Sequence, residues 1–135
     1  MDDELARLRE RRMQELLAAK EASPVPAATV LTATGQNLEV LATTHPNLVV
    51  DCWAPWCGPC RRVGPVVEAL AAEFAGRIAF AKLNTDENQH AARRFGISAI
   101  PTLLLFQSGR LVGQITGAYP IDAMRAELLR RFGLR

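Results

Sequence analysis

The chain has 135 residues, of which 49% are hydrophobic and 22% are charged. This length and composition are typical of one globular domain and exclude a disordered, collagen-like or disulfide-dense chain. With 16 basic and 14 acidic residues, the net charge is +2, which is too balanced to favour a nucleic acid or an anionic membrane as partner. No apolar run approaches the roughly 20 residues of a membrane-spanning helix, and the first residues lack the apolar core of a secretory signal.

The first 21 residues differ from the rest of the chain in composition. They contain five basic and six acidic residues, with no glycine or proline, and their leucines recur at a broken helical spacing. This pattern predicts a charged helix over residues 1–21. The following sequence ASPVP predicts an extended linker, because proline fixes its own φ and restricts the residue before it. We interpret residues 1–27 as a helical extension with its linker, and residues 28–135 as the principal domain.

The principal domain alternates apolar runs with helical patterns, which is typical of an α/β fold. Runs of aliphatic and β-branched residues predict five strands, of which the first is short and lies at an edge: 29–32, 47–54, 78–83, 102–106 and 111–116. Apolar residues at helical spacing predict four helices: 36–43, 57–74, 87–94 and 121–132. The order β-α-β-α-β-α-β-β-α requires parallel crossovers and a final antiparallel hairpin. We therefore predict a three-layer α/β/α sandwich on a mixed sheet of five strands, or four, preceded by the N-terminal helix.

The three cysteines give the first indication of function. Cys57 and Cys60 form a C-x-x-C pair, and Cys52 stands five residues before Cys57. An odd cysteine count without an export signal indicates a reducing compartment, so we expect a cytoplasmic location. In such a compartment a C-x-x-C pair is more often catalytic or metal-binding than structural.

The pair lies between a predicted strand and a predicted helix. Cys57 falls at the helix N-terminus, where unpaired N–H groups and the dipole stabilise a thiolate. Cys60 follows one turn later, within reach of a disulfide bond. Such a pair can attack a disulfide through a mixed intermediate and then resolve it. The alternatives are a redox-silent pair and a zinc half-site. A zinc site would need two more ligands with suitable spacing, and His45, His90 and Cys52, which are the remaining candidates, form no second pair, so we expect no metal.

The sequence VDCWAPWCGPC at residues 50–60, with IPT at 100–102, resembles the thioredoxin family. The resemblance covers about residues 28–133 and implies a thioredoxin fold and a protein-disulfide reductase that exchanges dithiols and disulfides with client proteins. By similarity, Cys57 is the attacking nucleophile and Cys60 the resolving thiol, and their disulfide is the only redox group, with no further cofactor. The implied cellular role is an electron carrier in redox homeostasis that a thioredoxin reductase re-reduces. The dipeptide between the cysteines matches the reducing members of the family.

Two charged residues complete the predicted catalytic group. Asp51 interrupts an apolar strand, and the family pattern places an aspartate there, beneath Cys60, to accept the proton of the resolving thiol. Burial should raise the pKa of Asp51, which suits a base working near neutral pH. Lys82 matches the family lysine that tunes this acid. The alternatives are an aspartate that turns to solvent at a strand end and a lysine that extends to water.

The resemblance also implies a cis proline at Pro101 that faces the cysteine pair and exposes the backbone of Ile100 for strand-like pairing with a client. A trans proline that opens a strand is the alternative from sequence alone. The family's flat apolar surface for binding clients, called the docking surface below, corresponds to these residues: Trp56, Gly58, Pro59, Ile100, Pro101, Gly117 and Ala118.

Two features depart from the family pattern. Cys52 stands where an aromatic or aliphatic residue is usual; we interpret it as a silent core thiol that faces away from Asp51, since strand neighbours alternate. The N-terminal helix is either a solvated helix packed loosely on the domain or a docking element for a partner or a second copy, and we expect a monomer. The rival functions are a reductant dedicated to one client, addressed by this helix, and a non-catalytic thioredoxin-fold binding subunit.

Overall fold

The computed structural model describes residues 2–22 and 29–135, and within the first helix it describes the side chains of residues 3–15. The elements follow in chain order: α1 Asp2–Ala22, β1 Leu31–Ala33, α2 Leu38–Thr44, β2 Asn47–Trp53, α3 Gly58–Glu73, β3 Ala79–Asn84, α4 Gln89–Arg94, β4 Thr102–Gln107, β5 Arg110–Thr116 and α5 Ile121–Phe132. Every predicted element is present, with boundaries that differ by at most two residues. The predicted linker, residues 22–27, lies outside the described residues except for Ala22, which is the last residue of α1.

The five strands form one sheet in the order β1-β3-β2-β4-β5. Strand β3 pairs in parallel with both β1 and β2, whereas β4 is antiparallel to both β2 and β5. The mixed five-stranded sheet is therefore confirmed, and the four-stranded alternative was wrong. The final hairpin turns through Ser108 and Gly109, which both have positive φ, as the favoured two-residue hairpin turn requires.

Strand β2 lies at the centre of the sheet and is buried from Leu48 to Cys52. Its apolar run does not alternate with polar residues because helices cover both faces of the sheet. On one face, Val49 packs in a core shared with α3 and α5. On the other face, Val50 and Cys52 pack in a core shared with α2 and α4. Because strand side chains alternate, Asp51 lies on the α3 side and Cys52 on the opposite side, as predicted.

The N-terminal helix α1 is present, as the sequence predicts. Its described side chains, at residues 3–15, are all exposed. Leu5, Leu8 and Met13 leave 54%, 58% and 62% of their surface accessible, and the single ion pair found along these residues joins Arg11 to Glu15. Within the described ranges, no helix combines the length and the apolar character needed to cross a bilayer.

Candidate active site

The two cysteines meet at the N-terminus of α3. Cys57 is the N-cap residue of this helix, and the backbone N–H of Cys60 donates a hydrogen bond to its Sγ at 3.2 Å. The N–H of Cys57 donates to the carbonyl of Ala54 at 3.1 Å, which fixes the turn from β2 into the helix. Pro59 is accommodated in the first turn, where its missing N–H has no partner to lose. The sulfurs of Cys57 and Cys60 form a disulfide with Cα atoms 5.3 Å apart.

The segment at residues 100–101 packs against this pair. The Ile100–Pro101 peptide bond is cis, as the resemblance implied, and the Ile100 carbonyl oxygen lies 3.9 Å from Cys57 Sγ. The N–H of Gly117 donates to the Pro101 carbonyl at 2.9 Å, which brings the end of β5 to the same place. The structure therefore brings three separate parts of the predicted docking surface together around the disulfide.

Exposure differs widely across the docking surface. Trp56 is 70% exposed, and Gly58, Pro59 and Ala118 are also exposed. The other three members are partly or fully covered: Ile100, Pro101 and Gly117. The outermost apolar group beside the disulfide is thus the indole of Trp56.

Asp51 is buried beneath the helix that carries the cysteines, with 1% of its surface accessible. Its Oδ1 has no hydrogen-bond partner among the residues that the structure describes. Burial raises the pKa of Asp51 to about 6, and the positive charge of Lys82, directly across from it on β3, acts in the opposite direction. The alternative in which Asp51 turns to solvent was therefore wrong.

A cavity of about 280 Å³ connects these groups. Asp51, Cys60 and Lys82 all line it, as do Gly64 and Glu68 on α3. The ammonium of half-buried Lys82 lies 5.8 Å from the centroid of the Trp53 ring, which forms part of the same wall. The structure thus places the predicted acid, the predicted lysine and the predicted resolving cysteine around one cavity.

The loop after β3 contributes residues that sequence reasoning missed. Both carboxylate oxygens of Asp86 accept the indole N–H of Trp56, at 3.1 and 3.0 Å. Thr85 donates its backbone N–H and its hydroxyl to the Trp53 carbonyl, at 2.8 and 3.0 Å. The Asn84 side chain accepts the N–H of Asp86 at 2.9 Å. A cluster of polar residues after a buried strand was the available signal, because the ends of neighbouring parallel strands share one edge of the sheet.

Cys52 lies apart from this site. It has no accessible surface, and burial first, then the nearby Asp51 carboxylate, raises the pKa of its thiol to about 12. Burial of this kind is typical of a structural cysteine, and the silence of Cys52 in the exchange stays a prediction. Across the described part of the chain, no three His, Cys, Asp or Glu side chains are grouped as a metal site would require.

A dithiol at a helix N-terminus exchanges disulfides through its first sulfur, so the geometry defines a thiol–disulfide oxidoreductase. The family model described as Thioredoxin matches residues 29–130, and the chain belongs to the thioredoxin family. It is 48% identical over 94 residues to Thioredoxin 1 of Nostoc sp., with 70% of this chain and 87% of that relative covered. It is 41% identical over 102 residues to Thioredoxin 2 of Chlorobaculum tepidum, with 75% and 94% covered.

A solved structure of a mutant thioredoxin from Halobacterium salinarum superposes with a TM-score of 0.74 at 33% identity, covering 81% of this chain and 96% of that one. Together with the cysteine pair, these similarities identify a protein-disulfide oxidoreductase that acts as a reductase. They do not favour the client-dedicated and non-catalytic alternatives. The family match begins after α1, so the helix is an addition to the matched region.

Proposed function

We propose that this reductase works in the cytoplasm on many disulfide-containing client proteins, with Cys57 as nucleophile, Cys60 as resolving thiol and Asp51 as the base for Cys60. The observation that carries the proposal is the hydrogen bond from the Cys60 N–H to Cys57 Sγ at the start of α3. A donor at this place favours negative charge on the first sulfur once the disulfide is reduced.

In the first step, the Cys57 thiolate attacks one sulfur of a client disulfide. A bond forms between Cys57 and the client, the client's own disulfide breaks, and its second sulfur leaves as a thiolate. The backbone of Ile100, whose carbonyl lies 3.9 Å from Cys57 Sγ, offers strand-like pairing to an extended client segment. Main-chain pairing reads little of the client's side chains, which fits a reductant of many clients.

In the second step, Cys60 gives its proton to Asp51 and attacks Cys57 Sγ. The Cys57–Cys60 disulfide forms, the bond between Cys57 and the client breaks, and the client sulfur that Cys57 had attacked leaves with the electron pair. The pKa of Asp51, raised to about 6 by burial and restrained by Lys82, suits a group that accepts a proton near neutral pH. The cavity shared by Asp51 and Cys60 supports this pairing.

The oxidised protein then requires two electrons to regenerate the dithiol. We propose a thioredoxin reductase as the donor and no cofactor other than the cysteine pair, which makes the chain an electron carrier in redox homeostasis. We further propose that the protein is a monomer in which residues 28–135 form the catalytic domain. Residues 1–27 form an appended segment that leaves this reaction unchanged.

Insulin reduction driven by dithiothreitol tests the assignment of the cysteines. We expect Cys57→Ser to lower the rate to that of dithiothreitol alone, and Cys60→Ser to accumulate clients as mixed disulfides on Cys57. Cys52→Ala is the matched control, because it also removes one thiol and should keep the wild-type rate. A wild-type rate from Cys57→Ser would refute the proposed nucleophile.

A further inference from the structure

Gly64 lies in α3 one turn after Cys60, where its backbone is buried against the sheet. Glycine is the poorest helix former after proline, and Gly64 does not have the positive φ that would make it necessary for conformational reasons. Backbone conformation therefore does not require glycine here, and the space beside residue 64 sets the limit on the size of its side chain. A Cβ built on Gly64 would lie 3.5 Å from the Nζ of Lys82, the only atom found within 4 Å of that Cβ among the described residues.

The space above Gly64 is thus occupied by the Lys82 ammonium, which also lies 5.8 Å from the ring centroid of Trp53. Both residues line the cavity that contains Asp51. The titratable or charged groups that line this cavity with Asp51 are Lys82 from β3 and three residues from α3: Cys60, Arg61 and Glu68.

Lys82 is the cation whose position matters to Asp51. It lies directly across from Asp51 on the neighbouring strand and is the positive charge that acts on this carboxyl. Arg61, the other cation of the cavity wall, is exposed and donates to the Pro55 carbonyl at 3.4 Å. If the ammonium of Lys82 moved away, the described lining of the cavity would offer Asp51 no second half-buried cation.

We propose that residue 64 is a positioning residue: because it is small, the Lys82 ammonium can face the cavity that contains Asp51, and a side chain longer than that of alanine would disturb the proton transfer that resolves the client disulfide. The inference rests on the proposed function of Asp51. In the affected step the Cys60 proton passes to Asp51, the Cys57–Cys60 bond forms, and the client sulfur leaves Cys57 with the electron pair. A larger side chain at residue 64 displaces the flexible end of Lys82 and leaves the backbone in place.

The first test is a ¹³C NMR titration of the Asp51 carboxyl in the oxidised full chain, with the signal assigned from Asp51→Asn. Gly64→Val extends methyl groups beyond the Cβ position, so we expect the titration midpoint of Asp51 to move upward as the ammonium is displaced. Gly64→Ala is the matched control, since a Cβ at 3.5 Å from Nζ is an ordinary contact, and its midpoint should equal that of the wild type. An unmoved midpoint in Gly64→Val would overturn the proposal.

A double variant shows whether the effect passes through Lys82. We expect Lys82→Met alone to raise the Asp51 midpoint, and Gly64→Val to add nothing further in the Lys82→Met background. An additive shift would mean that residue 64 acts on Asp51 by another route, and the proposal would fail. In turnover, Gly64→Val should lose about threefold at pH values below the midpoint and recover above it, because a midpoint raised by about half a pH unit lowers the ionised fraction of Asp51 about threefold there.

Gly64→Met, an unbranched side chain that suits a helix, serves as a second displacing variant. If both variants fail to fold while Gly64→Ala folds, the backbone rather than the ammonium resists the side chain, which contradicts the proposal. Failure of the proposed function gives a different result: Asp51→Asn would keep full turnover while the NMR midpoints still responded to residues 64 and 82.

Discussion

Asp51 and Cys52 are neighbours on β2, yet their side chains lie on opposite faces of the sheet. Both are buried, with 1% and 0% of their surface accessible, and burial raises the pKa of both. The Asp51 face opens into a cavity shared with Cys60 and Lys82, whereas the Cys52 face is closed by an apolar core. Burial alone therefore does not make a functional group; a perturbed group also needs a partner and a path for its proton.

We expect Asp51→Asn to have the largest effect on the free energy of unfolding. The pKa of Asp51 rises from 3.8 to about 6 on folding, so this carboxyl favours the folded state least when it is ionised. Its contribution to stability is full below the unfolded pKa and is lost as the pH rises through the folded pKa. The free energy of unfolding falls by about 3 kcal/mol over this pH range. We expect Asp51→Asn to be more stable than the wild type at about pH 8, by about 1–3 kcal/mol once the buried amide's unmet hydrogen bonds are included.

Urea denaturation of the two oxidised proteins at about pH 8 and about pH 4 measures this difference. The advantage of Asp51→Asn should disappear at the lower pH, where the wild-type carboxyl is protonated. The same substitution should slow insulin reduction about tenfold near neutral pH, since water in the cavity is a weaker base than a positioned carboxylate. Equal midpoints at the higher pH, or undiminished turnover, would show that the two faces of β2 do not differ as described.

Cys52→Ser tests the closed face of β2. A hydroxyl in the core around Cys52 lacks the partners that a buried polar group needs, so we expect a loss of about 1–3 kcal/mol in unfolding free energy. Cys52→Ala should lose less, because it leaves only a small void. Insulin reduction by both folded variants should match the wild type, and a fall in turnover would mean that Cys52 takes part in the exchange. Iodoacetamide should label Cys52 of the oxidised wild type only as the chain unfolds.

The contrast between the two faces was partly visible in the sequence. A charged residue within the apolar run of β2 marked Asp51, and strand alternation then placed Cys52 on the other side. The order of elements was also predictable, because strands, helices and the Ser108–Gly109 turn each have a local signature. The two-residue uncertainty at element ends arises because caps and hydrogen bonds, rather than apolar spacing, decide where an element stops.

The residues that were missed depend on which strands are neighbours, and local patterns do not contain this information. Asp86 meets Trp56 from 30 residues away because β3 lies beside β2. Gly64 meets Lys82 for the same reason, since α3 crosses over to the strand that carries the lysine. A glycine inside an otherwise helical pattern is itself a signal of a packing or functional constraint, but only the structure shows that the group beside it is the ammonium of Lys82.

Asp86 is an exposed carboxylate, in contrast to the buried Asp51. We expect its substitution to have the smallest effect on the free energy of unfolding. Because Asp86 keeps its contact with water, Asp86→Ala should change the unfolding free energy by no more than about 0.5 kcal/mol. The indole of Trp56, however, loses the acceptor that holds it at 3.0–3.1 Å. We therefore expect faster hydrogen exchange of the Trp56 indole N–H by NMR, and a KM for a protein client raised about two- to threefold with kcat unchanged, as loss of a single hydrogen bond at an exposed site would give.

Two further variants separate position from charge. Asp86→Asn keeps an oxygen that accepts the indole N–H and should restore most of the wild-type KM and exchange rate. Glu87→Ala removes the same charge one residue away, where the described side chain makes no hydrogen bond to the indole, and should leave both quantities unchanged. If Glu87→Ala raised KM as much as Asp86→Ala, the charge of the loop rather than the position of Trp56 would control client binding. An exposed carboxylate would then act through its field, as Lys82 does on Asp51, instead of through a fixed hydrogen bond.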